Sequence, residues 1–425
     1  MPVSMLPPAA ANGAVLQDSD GLQVTPVDLK ADDGVPSTGL LYKPRGRRSR
    51  IGVHLMHPRT DQTRNYNIAA LAEAGMTVLA RSSRSVNNDV DTVHEDLLLD
   101  VAAGVRYLRD LGCEHVVLLG NSGGAPLAAM YQSQAESSGA ERITPEVSPI
   151  GADLSGADLP KADAVVSIGG HIGQAETLAR LLDAAVVDER DLHATDPTLD
   201  MYAPENGFRL PVNDIRYDPE FVARVRAAQL RRVEALDRTA LAFLERAGSS
   251  RLLARRLKGA GVADADLFRA QRVAASRTVM VIHRTVADPA LVDLSIDPDD
   301  RLAGGFDAHP RPDVQNYALA GFGHYLSPRA WLSTWSATSS HAGMLRNLPG
   351  VSVPTLFVHY SGDIFVRTAD LHAMVAAAGA RDLSHVIVPR TDHYGREISD
   401  AGTLGGRVAE GTAAAREWIL ERFKP

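Results

Sequence analysis

A single cysteine, Cys113, stands in the whole chain, so no internal disulfide can form. The thiol falls between an expected helix and an expected strand, where it reads as structural, and its isolation suits a reducing compartment. Runs of 18 apolar residues are also lacking, so no segment is expected to cross a bilayer as a helix. No Lys or Arg precedes Lys30, and the Ala- and Pro-rich residues 1–20 have neither the basic start nor the apolar middle of a secretory signal. They read as a loose tail on a cytoplasmic protein. Excess positive charge is missing as well. The 44 Lys and Arg against 52 Asp and Glu leave a net charge of −8, so no global field favours nucleic acid or an anionic membrane. The local run Lys43, Arg45, Arg47, Arg48 and Arg50 is broken by Pro44 and Gly46 and reads as a solvated loop. Neither metal nor cofactor is expected. His54 and His57 are three apart on a strand, hence on opposite faces, and no carboxylate or cysteine cluster joins them.

What remains is an ordinary globular composition, 45% apolar and 23% charged, on a chain too long for one simple core. Its organising stretch is Val116–Gly124, Val-Val-Leu-Leu-Gly-Asn-Ser-Gly-Gly. Four apolar residues bounded by a Gly-rich turn read as a fully buried strand, and residues 125–134 can form the following helix. Gly120-Asn121-Ser122-Gly123-Gly124 fits the G-x-S-x-G pattern in the strand–turn–helix context that the pattern requires. Such a turn strains the serine backbone and crowds its flanks, and Gly120 and Gly124 remove the side chains that would clash.

Around this stretch the pattern alternates. Residues 22–29 and 38–43, separated by Ala31-Asp32-Asp33-Gly34, predict an antiparallel edge hairpin. Residues 50–57, 76–80, 116–119 and 164–168 predict strands, with helices over 66–74 and 95–111 between the first three. Residues 171–350 are mostly helical in pattern. Helices are expected over 219–247, 252–257, 264–275 and 329–348, with a strand over 278–283. Sheet periodicity returns with strands over 355–360 and 384–388 and helices over 368–378 and 407–423. The expected fold is therefore α/β, a mostly parallel doubly wound sheet built from residues 21–170 and 351–425, carrying an inserted, mainly helical cap over 171–350.

The returning strands end in Ser361-Gly362-Asp363 and Thr391-Asp392-His393. In a parallel sheet, ligand groups collect outside the carboxyl ends of the strands, so Ser122, Asp363 and His393 reach one edge. A serine hydroxyl needs an imidazole to take its proton, and the imidazole needs a carboxylate to fix its tautomer. The chain order Ser, Asp, His is the one expected for this arrangement.

With these motifs the chain resembles the α/β-hydrolases over about residues 22–168 and 353–423, while residues 171–350 resemble no subfamily. The resemblance implies that Ser122 is the nucleophile, His393 the general base and Asp363 the triad acid. It also implies an oxyanion hole made by the amide of Gly123 and a second amide from the loop after the earlier strand. That loop reads His57-Pro58-Arg59 where the family usually has His-Gly; Pro58 has no N–H, so the amide of Arg59 is expected.

His57, His171 and Arg84 are the expected substrate-binding side chains. His171 either lines the pocket or packs beside it. Arg59, Arg81 and Arg84 either bind a substrate carboxylate together or form separate salt bridges. Asp392 is the weaker alternative for the triad acid, because adjacent residues in a turn seldom face each other. His324 and Tyr325 read as a structural turn, and Trp331 and Trp335, four apart, as packing residues. The expected activity is hydrolysis of a carboxylic ester or similar acyl bond of a small molecule, with homo-oligomerisation left open. Two other readings stand beside it. Gly120-Asn121-Ser122 resembles the elbows of family members that hydrolyse carbon–carbon bonds of diketone-like substrates, and the same fold also serves as a small-molecule receptor.

Overall fold

A computed structural model describes residues 21–212, 214–261, 264–276 and 278–424; the expected N-terminal tail lies outside them. The first strands, β1 (Leu22–Lys30) and β2 (Pro36–Pro44), form the antiparallel hairpin predicted from the Ala31–Gly34 turn. Then follow β3 (Ile51–His57), α1 (Ile68–Glu73), β4 (Thr77–Ser82), α2 (His94–Asp110), β5 (His115–Asn121), α3 (Gly124–Glu136) and β6 (Ala164–Ile168). These strands and the two later ones, β9 (Thr355–Tyr360) and β10 (Leu383–Val388), make one eight-stranded sheet in the order β1-β2-β4-β3-β5-β6-β9-β10. Only β1 and β2 run antiparallel to their neighbours.

The alternation of side chains across the pleat divides the core in two. Val117 and Leu119 of β5 join Val53, Leu55, Val166 and Val358 in a cluster with Leu71 of α1 and Trp418 and Ile419 of the last helix, α11 (Glu410–Arg422). Val116 and Leu118 face the opposite way, into a cluster with Leu98, Val101, Val105 and Leu108 of α2 and Leu127 of α3. Helices on both faces explain why the central strands are apolar throughout rather than alternating.

Between β6 and β9 lie α4 (Gln174–Leu181), α5 (Pro219–Gly259), α6 (Ala265–Ala275), the two-residue strands β7 (Met280–Val281) and β8 (Tyr325–Leu326), and the short helices α7 (Pro312–Asn316), α8 (Pro328–Ala330) and α9 (Met344–Asn347). After β9 come α10 (Thr368–Ala377), β10, the small hairpin β11 (Arg396–Ile398) and β12 (Leu404–Arg407), and α11. Three expectations inside the insertion need correction. The helices expected over 219–247 and 252–257 are one helix of 41 residues, about 60 Å long. Asp218 caps its start by accepting from Glu220 N–H and Phe221 N–H, and Pro219 fits the first turn. Gly248 weakens a helix by about 1 kcal/mol but keeps its N–H, so the helix continues through it. The strand expected over 278–283 is paired only at Met280–Val281. The helix expected over 329–348 breaks after a π-turn at Trp331–Trp335. There Ser339 Oγ donates to Leu332 O and Ser340 Oγ to Ser333 O, so hydroxyls compete for the carbonyls a helix would use.

The insertion shares a core with the sheet. Phe221 and Val225 of α5 cluster with Ala125 and Ala129 of α3, Phe357 of β9 and Leu371 of α10. Ion pairs on buried carboxylates cross the same boundary. Arg180 of α4 forks onto Asp370 of α10 at 2.7 Å through each nitrogen. Asp288 accepts from Arg226 of α5 at 2.5 Å and from Arg367 at 3.3 Å. Burial alone would raise the Asp288 pKa, but the two guanidinium groups outweigh it and hold the carboxyl below its usual range. No helix among the described residues is long and apolar enough to cross a membrane.

Candidate active site

The turn after β5 has the strained geometry its sequence demands. Ser122 has φ of +54°, in the left-handed region a non-glycine residue rarely adopts. Ser122 N–H donates to Ile168 O at 3.1 Å, and Ser122 O accepts from Ala125 N–H at 3.1 Å, which fixes the turn from both sides. A Cβ on Gly120 would strike the backbone of Ala125, and one on Gly124 would lie 2.6 Å from Met56 O. Asn121 anchors the turn sideways, donating through Nδ2 to Ile168 O at 2.9 Å and to the Tyr66 hydroxyl at 3.2 Å. The asparagine is thus engaged in holding the elbow.

Ser122 Oγ lies 2.8 Å from His393 Nε2, and His393 Nδ1 lies 2.5 Å from Asp363 Oδ2. Asp363 is fully buried, and its Oδ1 accepts from the amides of Phe365 at 2.7 Å and Val366 at 3.1 Å. One carboxylate oxygen is therefore held by backbone while the other holds the imidazole. Burial disfavours the imidazolium form of His393, but the charge and hydrogen bond of Asp363 outweigh it, and its pKa is raised. Asp392 is not the partner of His393. It accepts from Tyr394 N–H, Arg396 N–H and Arg396 Nε, and so is committed to its own turn.

A cavity of about 410 Å³ opens over Ser122. His57, His171 and Gln174 line it beside the serine; Phe322, Trp335 and Phe365 supply an aromatic side, and Arg59, Arg64 and Asp89 a polar one. Arg59 is held by Asp89 at 2.5 Å and lies over both Phe322 and Trp335, 5.1 and 5.0 Å from the ring centroids. A larger groove of about 1120 Å³ between α5, α6 and α8 contains none of the expected site residues.

The structure brings Ser122, Asp363 and His393 together and sets Gly123, His57 and His171 beside them, but it separates two further expectations. The amide of Arg59 does not face the cavity. It donates to His57 Nδ1 at 3.0 Å, as does the amide of Thr60 at 3.0 Å. Pro58 forces a tight turn whose first two free N–H groups point back onto the imidazole that precedes it. Arg84 does not line the cavity. Its guanidinium is closed between Asp100, 2.7 and 3.0 Å away, and Asp33 of the β1–β2 turn, 2.5 Å away. Arg81 is buried, donating to Asp100 O at 2.7 Å and to Ser37. The separate salt-bridge reading thus describes Arg84, while Arg81 ends on neutral acceptors. His54 points to the other face, against Gly104 of α2.

His324 and Tyr325 stay outside the cavity lining, His324 bonding to Ile282 O and Ala320 O. Their neighbour Phe322 lines it, as does Gln174; neither carries a signal of this role in the sequence strong enough to single it out. An aromatic between Gly321 and Gly323 is the one available hint for Phe322. Trp331 packs inward and donates to Asp237 at 2.7 Å, whereas Trp335 faces the cavity. No group of three metal-ligating side chains exists among the described residues.

No protein-family model matches the chain, and no curated protein matches it. Similar architectures occur among solved structures. An esterase domain of a Rhodothermus marinus protein is 12% identical, covering 93% of this chain and 96% of that one at a TM-score of 0.41. Est1E from Butyrivibrio proteoclasticus is 13% identical, covering 93% and 98% at a TM-score of 0.44. The alpha/beta hydrolase GrgF from Penicillium sp. sh18 is 12% identical, covering 87% and 91% at a TM-score of 0.43. The eight-stranded sheet, the strained serine between β5 and α3, and the order Ser122, Asp363, His393 at the carboxyl ends of β5, β9 and β10 make this an α/β-hydrolase fold.

Proposed function

We propose that the protein is a serine hydrolase of small-molecule carboxylic esters. The observation that carries this reading is the unbroken relay from Asp363 Oδ2 through His393 to Ser122 Oγ, at 2.5 and 2.8 Å. Ser122 Oγ attacks the ester carbonyl carbon as its proton passes to His393 Nε2, and the carbonyl π pair moves onto oxygen. Asp363 holds the Nδ1–H tautomer and stabilises the imidazolium. Collapse of the tetrahedral intermediate breaks the bond to the alcohol, which leaves with the proton from His393. Water, deprotonated by the same imidazole, then releases the acid from Ser122. The amide of Gly123, at the mouth of α3, is one donor to the developing oxyanion.

The aromatic side of the cavity suits an apolar acyl or alcohol group of modest size, and the insertion supplies Phe322 and Trp335 to it. Carbon–carbon hydrolysis gains no support from Asn121, whose amide is spent on Ile168 and Tyr66. The test is labelling of the purified protein with a fluorophosphonate, read by peptide mass spectrometry. Labelling at Ser122 that is lost in Ser122→Ala and strongly slowed in His393→Ala is expected. Absence of labelling in folded protein overturns the hydrolase reading in favour of a receptor.

A further inference from the structure

The missing main-chain donor from the β3 loop leaves half of an oxyanion hole to be found. Gly123 shows where it is. Its backbone is ordinary helical, φ −63° and ψ −10°, so conformation does not require glycine here. Space does: a Cβ at this position would lie 2.7 Å from Gln174 Nε2, 2.8 Å from His57 Nε2 and 3.2 Å from His171 Nε2. Three side-chain nitrogens, from the end of β3, the loop after β6 and the start of α4, therefore converge beside the residue whose amide is the first donor of the proposed mechanism.

Their protons follow from the other ends of the rings. His57 Nδ1 accepts two backbone N–H groups, from Arg59 and Thr60, so it carries a lone pair and the proton sits on Nε2. His171 Nδ1 accepts from Gly173 N–H at 3.2 Å, which again leaves the proton on Nε2. Burial first, and then neighbouring cationic groups such as Arg59 and His393, lower both pKa values, that of His171 to about 3. Both rings are thus neutral N–H donors. Gln174 carries a buried amide, lying against His94, that completes no hydrogen bond within the protein.

We propose that His57 Nε2–H, with His171 Nε2–H beside it, supplies the second half of the oxyanion hole. The inference rests on the serine-hydrolase reading above and assigns these side chains the role that a loop amide plays elsewhere. As the Ser122 Oγ–carbon bond forms, the carbonyl electron pair moves to oxygen and is met by Gly123 N–H and the two imidazole N–H groups. As it collapses, the C=O bond reforms and the donors return to their resting state unchanged. A neutral imidazole is a weak acid and serves the oxyanion as a hydrogen-bond donor, the proton staying on Nε2.

The test compares wild type, His57→Asn, His57→Gln and His171→Asn on p-nitrophenyl acetate. Asparagine can keep an acceptor for the Arg59 and Thr60 amides while ending short of the Nε2 position; glutamine places an N–H near it. His57→Asn is expected to lower kcat by roughly 10²–10³ with KM changed less than about threefold. His57→Gln should recover at least tenfold of that loss, and His171→Asn should fall between. Each variant is checked by its melting transition, and His171→Asn carries the comparison if His57→Asn does not fold. Wild-type kcat in the folded asparagine variants overturns the proposal, as does equal loss in the asparagine and glutamine variants. If wild type turns over no ester, the same ratios are read from the rate of fluorophosphonate labelling at Ser122, where the phosphoryl oxygen takes the carbonyl's place. If wild type is neither active nor labelled, the hydrolase reading fails and this inference falls with it.

Discussion

Arg59 lies over the ring of Trp335 at 5.0 Å, so the loop after β3 and the insertion meet face to face across the cavity. The contact closes the polar side of the pocket onto the aromatic side, and Asp89 keeps the guanidinium from turning away. Trp335→Ala should therefore enlarge the aromatic side of the pocket. The expected outcome is a kcat/KM optimum displaced to longer acyl groups across a p-nitrophenyl ester series. Because Trp335 is 1% exposed, a stability loss of about 3–5 kcal/mol should accompany it. An unchanged chain-length profile in folded variant would remove Trp335 from the specificity surface.

If His393 is the proposed general base, its raised pKa should set the acid limb of the pH–rate profile. The base works only when neutral, so kcat/KM should fall as pH drops through a value above the ordinary histidine value of about 6.5. Asp363→Asn removes the charge responsible. The limb should move to lower pH while kcat drops by roughly 10³–10⁴. A limb that stays in place would mean that another group titrates.

Acid stability should be governed by histidines displaced the other way. His54, His57, His94 and His171 are all lowered, chiefly by burial, His94 to about 4. In each case the unfolded chain takes up its proton first. Stability is therefore full above about pH 6.5 and is lost as pH falls towards the folded value, by about 1.4 kcal/mol for each pH unit that separates the unfolded and folded pKa values. His393 acts in reverse: its contribution is full below about 6.5 and fades as pH rises through its folded value. His54 sits outside the cavity with Nε2 unbonded, so His54→Leu isolates one titration. Denaturation followed from about pH 7.5 to about pH 4.5 should show a slope shallower by up to one proton in the variant; parallel curves would contradict the assignment.

Gly248 lies inside α5 with open space around it, the nearest atom being Arg251 Nη2 at 3.9 Å. Gly248→Ala should raise stability by about 0.5–1 kcal/mol, read as a shift in the denaturation midpoint at unchanged slope. A destabilised variant would argue that the glycine is needed to bend the helix.

The central strands were legible because burial on both faces leaves continuous apolar runs. The elbow was legible because its glycines, serine and flanking elements agree. Ser122 followed from the elbow motif, and Asp363 and His393 from their places at strand ends together with the chain order Ser, Asp, His. The rest depended on choices made at long range. The family resemblance pointed to Arg59 but not to the direction of its amide, which turns on whether His57 offers a lone pair. Arg84 lies after the right strand, yet Asp33 and Asp100, far from it in sequence, decide where its guanidinium goes. The helix expected over 329–348 is interrupted by the hydroxyls of Ser339 and Ser340, whose carbonyl partners are decided by the folded backbone. Gln174 carried no signal at all, since a glutamine on a short helix is unremarked until its neighbours are in place.

The shared acceptor Asp288 has a consequence for how this chain could have been assembled or could be cut. Arg226 comes from the insertion and Arg367 from the segment after β9, and both neutralise one buried carboxylate. Excising residues 171–350 would leave Arg367 and Asp370 as unmatched charges beneath a stripped apolar face that Phe221 and Val225 now cover. The insertion therefore behaves as masonry rather than as a door. Shuffling this segment between relatives would succeed only when the arginines and their carboxylates travel together.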